Sequence, residues 1–283
     1  MVMLKGLSSS MNAKLTGTGD EVVVLAHGYG ADQSFWDKVV PSLAQKHQVL
    51  VFDWSFSGAF NENNNDNNRM DEKNQGFLEF DPIKYGSFEA FADDLVCLLD
   101  EMGIKSCSFV GHSMSGMIGC FASVKRPQLF KKLILIGASP RYLNSEDYEG
   151  GFEMQDIEQL LSAMEANFHA WASAFAPIAM AGKDPLLIEK LERSLKKMKP
   201  EVALAVAKLI FLGDNRHVLE HVDTPCTIVT TTNDLVVPPS VPYYMQKKMT
   251  KIKSEVEIID VDGHFPHLTA HNELLEVLGR ALD

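Results

Sequence analysis

Apolar residues recur along the chain in two spacings, and the spacings alternate. Val22-Val23-Val24-Leu25-Ala26 is an unbroken apolar run that stops at His27-Gly28-Tyr29-Gly30. A strand covered by helices on both faces needs such a run, since neither face meets water. Runs at Gln48 to Asp53, Ile104 to Val110, Lys132 to Ile136, Cys226 to Thr230 and Glu255 to Val261 predict further strands. Helical spacing lies between and after them. It predicts a helix over Asp32 to Lys46, where Phe35, Trp36, Val39, Val40 and Leu43 share a face and Ser34 is available as a cap. Two more are expected over Ser87 to Met102 and Thr269 to Leu282. Such an alternation builds a mostly parallel sheet with helices on both faces.

The rhythm breaks after Ser139-Pro140. From about Arg141 to Leu212 only helical patterning appears, carried by Ile157, Leu160, Leu161, Met164 and Phe168, then Trp171 and Phe175, then Leu186, Ile188, Leu191 and Leu195. Pro177, Pro185 and Pro200 divide this stretch into about four short helices. A helical insertion on the carboxyl side of a parallel sheet, where ligands bind, reads as a four-helix lid, with a purely structural cap as the alternative. The chain thus divides into core over 1–139, lid over 140–212 and core again over 213–283. Within the first part, the Asn-rich loop 61–75 has too little apolar surface to offset its chain entropy. It reads as a surface excursion, with a recognition loop as the other option.

The chemistry centres on Val110-Gly111-His112-Ser113-Met114-Ser115-Gly116, which follows a strand and opens a small, apolar helix. A serine on a sharp strand-to-helix turn between small residues is the nucleophile elbow of an α/β-hydrolase fold. The usual pattern is G-x-S-x-G, whereas here Ser115 takes the place of the second glycine. A serine hydroxyl needs a base, and the base needs an acid that orients it. Asp234 and His264 each follow an apolar run, in the chain order serine, acid, histidine. Ser113, Asp234 and His264 are therefore the expected triad. The His27-Gly28-Tyr29-Gly30 turn is placed to supply one oxyanion-hole amide from Tyr29, and Met114 the other.

Rival residues fit less well. Asp53 ends a strand but precedes the serine, and Asp223, Asp260 and Asp262 lack a strand before and a turn after. His112 flanks the nucleophile and is expected to pack or hydrogen-bond, while His267 is expected as a helix-start contact. His47, His169, His217, His221 and His271 have no such context and are expected at the surface. No H-E-x-x-H or clustered His/Asp set suggests a catalytic metal, and no cofactor motif is present.

Charge and composition narrow the partners. A net charge of −12 opposes binding to a phosphate backbone or an anionic membrane. No apolar run approaches the roughly 18–20 residues of a membrane helix, and Met1 to Leu15 has no signal-peptide core. Cys97, Cys107, Cys120 and Cys226 lie far apart without C-x-x-C spacing, as free thiols in a reducing compartment would. A soluble intracellular protein is the expectation.

At several of these positions the chain resembles the plant karrikin and strigolactone receptor hydrolases, with the karrikin-insensitive branch closer. The likeness runs through His27 to Trp36, Gly111 to Gly119, Ala138 to Tyr142, Tyr148 to Phe152 and Gly263 to Leu268. That family also carries serine in place of the second elbow glycine. The resemblance implies slow serine-hydrolase activity on small butenolide lactones, a triad histidine that the butenolide ring can modify, and a lid change that recruits an F-box protein and repressor targets. It further implies a cytoplasmic and nuclear protein, and a ligand pocket of Tyr29, Tyr142, Phe152, Trp171, Phe175 and Val236 beside His264. Flat lactones suit such aromatic walls.

Three features depart from the family: the Asn-rich insertion, Phe56 and Ser57 in a loop that is usually glycine-rich, and Lys196 at a position commonly held by a pocket phenylalanine. Lys196 would polarise the pocket if turned inward and enlarge it if turned outward. The basic run Lys190, Arg193, Lys196, Lys197 and Lys199 reads as a solvated helix face or a docking site. A non-signalling ester or lactone hydrolase and a bacterial-type stress-regulator hydrolase are the alternative functions.

Overall fold

The computed structural model describes residues 6–58, 80–182 and 184–283. The Asn-rich loop 61–75 lies outside the described residues. Among the described residues, seven strands form one sheet: β1 (Lys14–Thr16), β2 (Val22–Ala26), β3 (Gln48–Val51), β4 (Cys107–His112), β5 (Phe130–Ile136), β6 (Cys226–Asn233) and β7 (Ser254–Asp262). Their order is β1-β3-β2-β4-β5-β6-β7. Only β1 runs antiparallel, pairing Lys14 with Val51 and Thr16 with Val49. The other pairs are parallel, and Ala26 lies beside Gly111, His112 beside Ile136 and Ile136 beside Val229. That register brings the ends of β2, β4, β5 and β6 to one edge.

All six residues of β4 are buried, as a central strand covered on both faces requires. Helices α1 (Phe88–Glu101) and α2 (Met114–Lys125) are in the large apolar core built on one face. After β5 come four helices: α3 (Met154–Ala166), α4 (Phe168–Ala179), α5 (Pro185–Lys196) and α6 (Pro200–Leu212). Local chemistry starts each one. Glu153 and Asp156 form a capping box at α3, and Asn167 accepts from the Ala170 amide at α4. Asp184 caps α5, and prolines open both α5 and α6. Helices α7 (Ser240–Lys248) and α8 (His271–Leu282) complete the chain, and Val277 and Leu278 of α8 cover the opposite face of the sheet.

Several expected elements change. The predicted helix over Asp32 to Lys46 breaks into a 3-10 turn, Gln33–Trp36, and one α-turn, Val40–Leu43. Pro41 lacks the N–H that a continuous helix would use. The cap is Asp32, whose carboxylate accepts from the Ser34 amide at 2.8 Å, and not Ser34. Pro177 does not divide the insertion, because α4 runs through it and ends two residues later. Its missing donor deprives only the carbonyl of Ser173, one turn earlier at an exposed position. The expected helix from Thr269 is interrupted at Ala270, leaving a single turn, Pro266–Thr269, ahead of α8.

Cys107, Cys120 and Cys226 are buried and Cys97 is exposed, and all four are free. Burial pushes the Cys107 and Cys120 thiols up to about 12, which leaves them unreactive. Among the described residues no helix is long and apolar enough to cross a membrane.

Candidate active site

Ser113 sits between β4 and α2 with φ 56° and ψ −123°. A non-glycine residue pays strain for a positive φ, and the surroundings must over-determine it. They do. The Ser113 amide donates to the Ile136 carbonyl at 2.8 Å, and the Gly116 amide returns to the Ser113 carbonyl at 2.9 Å. Close approach forces small residues here: a Cβ on Gly111 would fall 2.6 Å from the Ser115 backbone, and one on Gly116 would fall 2.6 Å from the Ala138 side chain.

The other two predicted triad residues meet Ser113 at the carboxyl edge. His264 Nε2 lies 2.9 Å from Ser113 Oγ, and His264 Nδ1 lies 2.6 Å from Asp234 Oδ2. Asp234 Oδ1 accepts from the Val236 and Val237 amides at 2.8 and 3.1 Å, so the carboxylate is held from both ends. All three residues are buried, with 7% exposure for Ser113, 8% for Asp234 and 4% for His264. Gly137 keeps the space beside them open. Its φ is +56°, and a Cβ there would press to 3.0 Å from His264 Cε1.

The backbone of His264 is held twice. Its amide donates to the Ala179 carbonyl at the end of α4 at 2.8 Å, and its carbonyl accepts from His112 Nε2 at 2.8 Å. His112 therefore hydrogen-bonds, as its place beside Ser113 suggested. Burial, reinforced by His267 and His264, holds it well below the usual histidine range, so it stays neutral. His267 stacks on Trp36 with ring centroids 4.5 Å apart, and neither ring nitrogen has a hydrogen-bond partner. Burial lowers it to about 3.

Tyr29 and Met114 flank the serine. Gly28 packs so tightly that a Cβ on it would lie 3.0 Å from Ser113 Cβ, which places the following Tyr29 at the elbow. Met114 is the first residue of α2, where backbone amides lack helical partners. Asp53, the rival acid, lies elsewhere: its carboxylate accepts from the Gln33 amide, Gln33 Nε2 and Asn12 Nδ2 at 2.8, 2.6 and 3.0 Å, pinning the N-terminal segment.

The predicted pocket residues fall into two aromatic groups. Tyr29, Trp171 and Phe175 form one, with Trp171 stacked on Phe175 at 5.0 Å and edge-on to Tyr29 at 6.4 Å. Tyr142 and Phe152 form the other, centred on Phe211 at 5.0 and 5.9 Å. Phe211 and Phe168, which stacks on Trp171, escaped the sequence reading because both look like ordinary helix-face residues. Burial raises the Tyr142 phenol, and Ser113 acts in the opposite direction, so this ring borders Ser113. Val236 contributes its amide to Asp234. Lys196 is turned to its own helix: the ammonium pairs with Glu192 at partial exposure, the outward of the two orientations considered. From the same basic run, Lys190 donates to the Ser34 carbonyl at 2.8 Å and ties α5 to the core.

A serine, histidine and aspartate joined in this order at the edge of a largely parallel sheet define a class. Residues 21–270 match the family model of the alpha/beta hydrolase fold, and the chain belongs to that family. Within it, the chain is 41% identical to the karrikin insensitive 2 receptor CA of Petunia hybrida, covering 95% of this chain and 94% of the relative. It is 40% identical to a strigolactone esterase of Arabidopsis thaliana, covering 96% of both. The chain is thus a member of the karrikin-insensitive and strigolactone-esterase group. A solved hydrolase structure from Oleispira antarctica superposes with a TM-score of 0.88 at 31% identity, covering 99% of this chain and 98% of that one.

Proposed function

We propose that the protein is a serine hydrolase that binds small butenolide lactones beneath a lid formed by residues 140–212 and couples slow ester cleavage to signalling. The observation that carries this reading is the unbroken hydrogen-bonded chain from Ser113 through His264 to Asp234. Relatives named as karrikin receptors and strigolactone esterases over nearly the whole chain support the ligand class.

The steps follow from the geometry. Ser113 Oγ attacks the ester or lactone carbonyl while its proton passes to His264 Nε2. Asp234 holds the imidazole with Nδ1–H toward its carboxylate and stabilises the imidazolium. The amides of Tyr29 and Met114 receive the developing oxyanion, each such donor being worth on the order of 10²–10³ in rate. The acyl–oxygen bond breaks, His264 returns the proton to the leaving oxygen, and water repeats the sequence on the acyl-serine. The aromatic groups around Trp171 and Tyr142 offer flat apolar walls for the ring.

Two hydrogen bonds connect this chemistry to the lid: His264 N–H to the Ala179 carbonyl, and Tyr29 O–H to the Ala203 carbonyl at 3.0 Å. Where His264 Nε2 attacks the acyl-serine in place of water, the bond to Ser113 Oγ breaks and that oxygen takes up the imidazole's remaining proton; the butenolide fragment so left on His264 would strain the first of these bonds. The resulting lid movement is the proposed signal, read by an F-box protein and repressor targets in the cytoplasm and nucleus. Incubation with a synthetic butenolide ester tests the reading through turnover and melting temperature together. Turnover that stalls near one equivalent with a shifted melting temperature is expected. Rapid multiple turnover with no shift would reassign the protein as a metabolic ester or lactone hydrolase. Partner binding indifferent to ligand would point to the stress-regulator type.

A further inference from the structure

Ser115 occupies the place that glycine takes in the usual elbow, and its side chain is fully buried. Its Oγ donates to the carbonyl of His27, the residue that follows β2. The indole N–H of Trp54 is shared between the same carbonyl, at 3.1 Å, and Ser115 Oγ, at 2.9 Å. The Trp54 amide donates to His27 Nε2 at 3.2 Å, and His27 Nδ1–H reaches the Gly28 carbonyl at 2.9 Å. Two segments remote in sequence, around Trp54 and Ser115, therefore converge on the peptide units ahead of Tyr29.

We infer that Ser115, with Trp54, is a positioning residue that sets the orientation of the 27–30 loop and so aims the Tyr29 amide at the oxyanion. The inference rests on the serine-hydrolase reading above. A carbonyl oxygen has two lone pairs, and here both find donors, which fixes the His27–Gly28 peptide plane. Gly28 then lies against Ser113, leaving the next amide no freedom to drift from the reacting centre. With glycine at 115 one of the two donors is lost, and the plane is held by Trp54 alone. An oxyanion donor works by being fixed before charge develops, so looseness costs rate and leaves ground-state binding intact.

The test uses the full chain with p-nitrophenyl acetate. Ser115→Ala and Ser115→Gly, the latter restoring the usual elbow residue and so suited to the local fold, should each lower kcat about 10-fold with KM within about 2-fold. Phosphonylation of Ser113 by a fluorophosphonate should slow in parallel, since it too builds charge on an oxygen in that site, while the pH midpoint of kcat stays put. Trp54→Phe combined with Ser115→Ala should lose less than the product of the single effects, because both donors serve one carbonyl. Unchanged kcat and phosphonylation in both Ser115 variants overturns the inference, as does a loss carried by KM. Ser113→Ala separates the two levels: activity surviving in that variant refutes the hydrolase reading, whereas loss there with full activity in the Ser115 variants refutes only the positioning role.

Discussion

Acid should destabilise this protein well above the pH at which its carboxylates protonate, and His267 provides the measure. The side chain is fully buried, stacked on Trp36 and without a polar partner on either nitrogen. Burial lowers its pKa to about 3, whereas the unfolded chain takes up a proton near 6.5. A depressed histidine contributes stability that is complete above the unfolded pKa and is lost as pH falls toward the folded one. Between pH 7.5 and pH 5 this single group should cost about 2 kcal/mol, at roughly 1.4 kcal/mol per pH unit below 6.5. His112 and His27, also lowered by burial, act in the same direction. Against a total stability of about 5–15 kcal/mol such losses are large. Urea unfolding at the two pH values, on the wild type and on His267→Phe, measures the effect. The phenylalanine keeps the stack and removes the proton site, so the variant should lose about 2 kcal/mol less on acidification. Identical pH dependence in both proteins would refute the reasoning.

Two further substitutions follow from distances at the site. Asp234→Asn removes the acceptor 2.6 Å from His264 Nδ1 yet keeps an oxygen for the Val236 and Val237 amides. Activity on p-nitrophenyl acetate should fall on the order of 10³–10⁴-fold with the melting temperature little changed. Gly137→Ala adds a methyl 3.0 Å from His264 Cε1 at a φ of +56°. Backbone strain of about 1–2 kcal/mol should appear in urea unfolding, and displacement of the imidazole should lower kcat at least about 10-fold.

Much of the fold was legible because its strands are long apolar runs. The runs at Val22 and Ile104 led directly to β2 and β4, and the three residues of the proposed triad follow strand ends that the sheet register brings together. Where patterning failed, a local cause is visible. β1 is a three-residue edge strand whose side chains are all exposed, so it carries no apolar signal. The break in the helix after Asp32 came from Pro41, which the periodicity of Phe35, Val39 and Leu43 masked. The outward turn of Lys196 could have been read from Glu192 one helical turn earlier. The contacts among His27, Trp54 and Ser115 could not, because nothing in the local pattern joins residues 27 and 61 positions apart. The same holds for Phe211, which reaches Tyr142 only through tertiary packing.

The central claim is that Ser113 initiates covalent chemistry which ends on, or passes through, His264 beneath the lid. Intact-mass analysis after exposure to a butenolide ester tests it most directly. The account predicts an added mass equal to the retained butenolide fragment, mapping to His264 on peptide digestion and absent in Ser113→Ala. A label that persists in Ser113→Ala, or that maps away from the Ser113–His264–Asp234 chain, would contradict it.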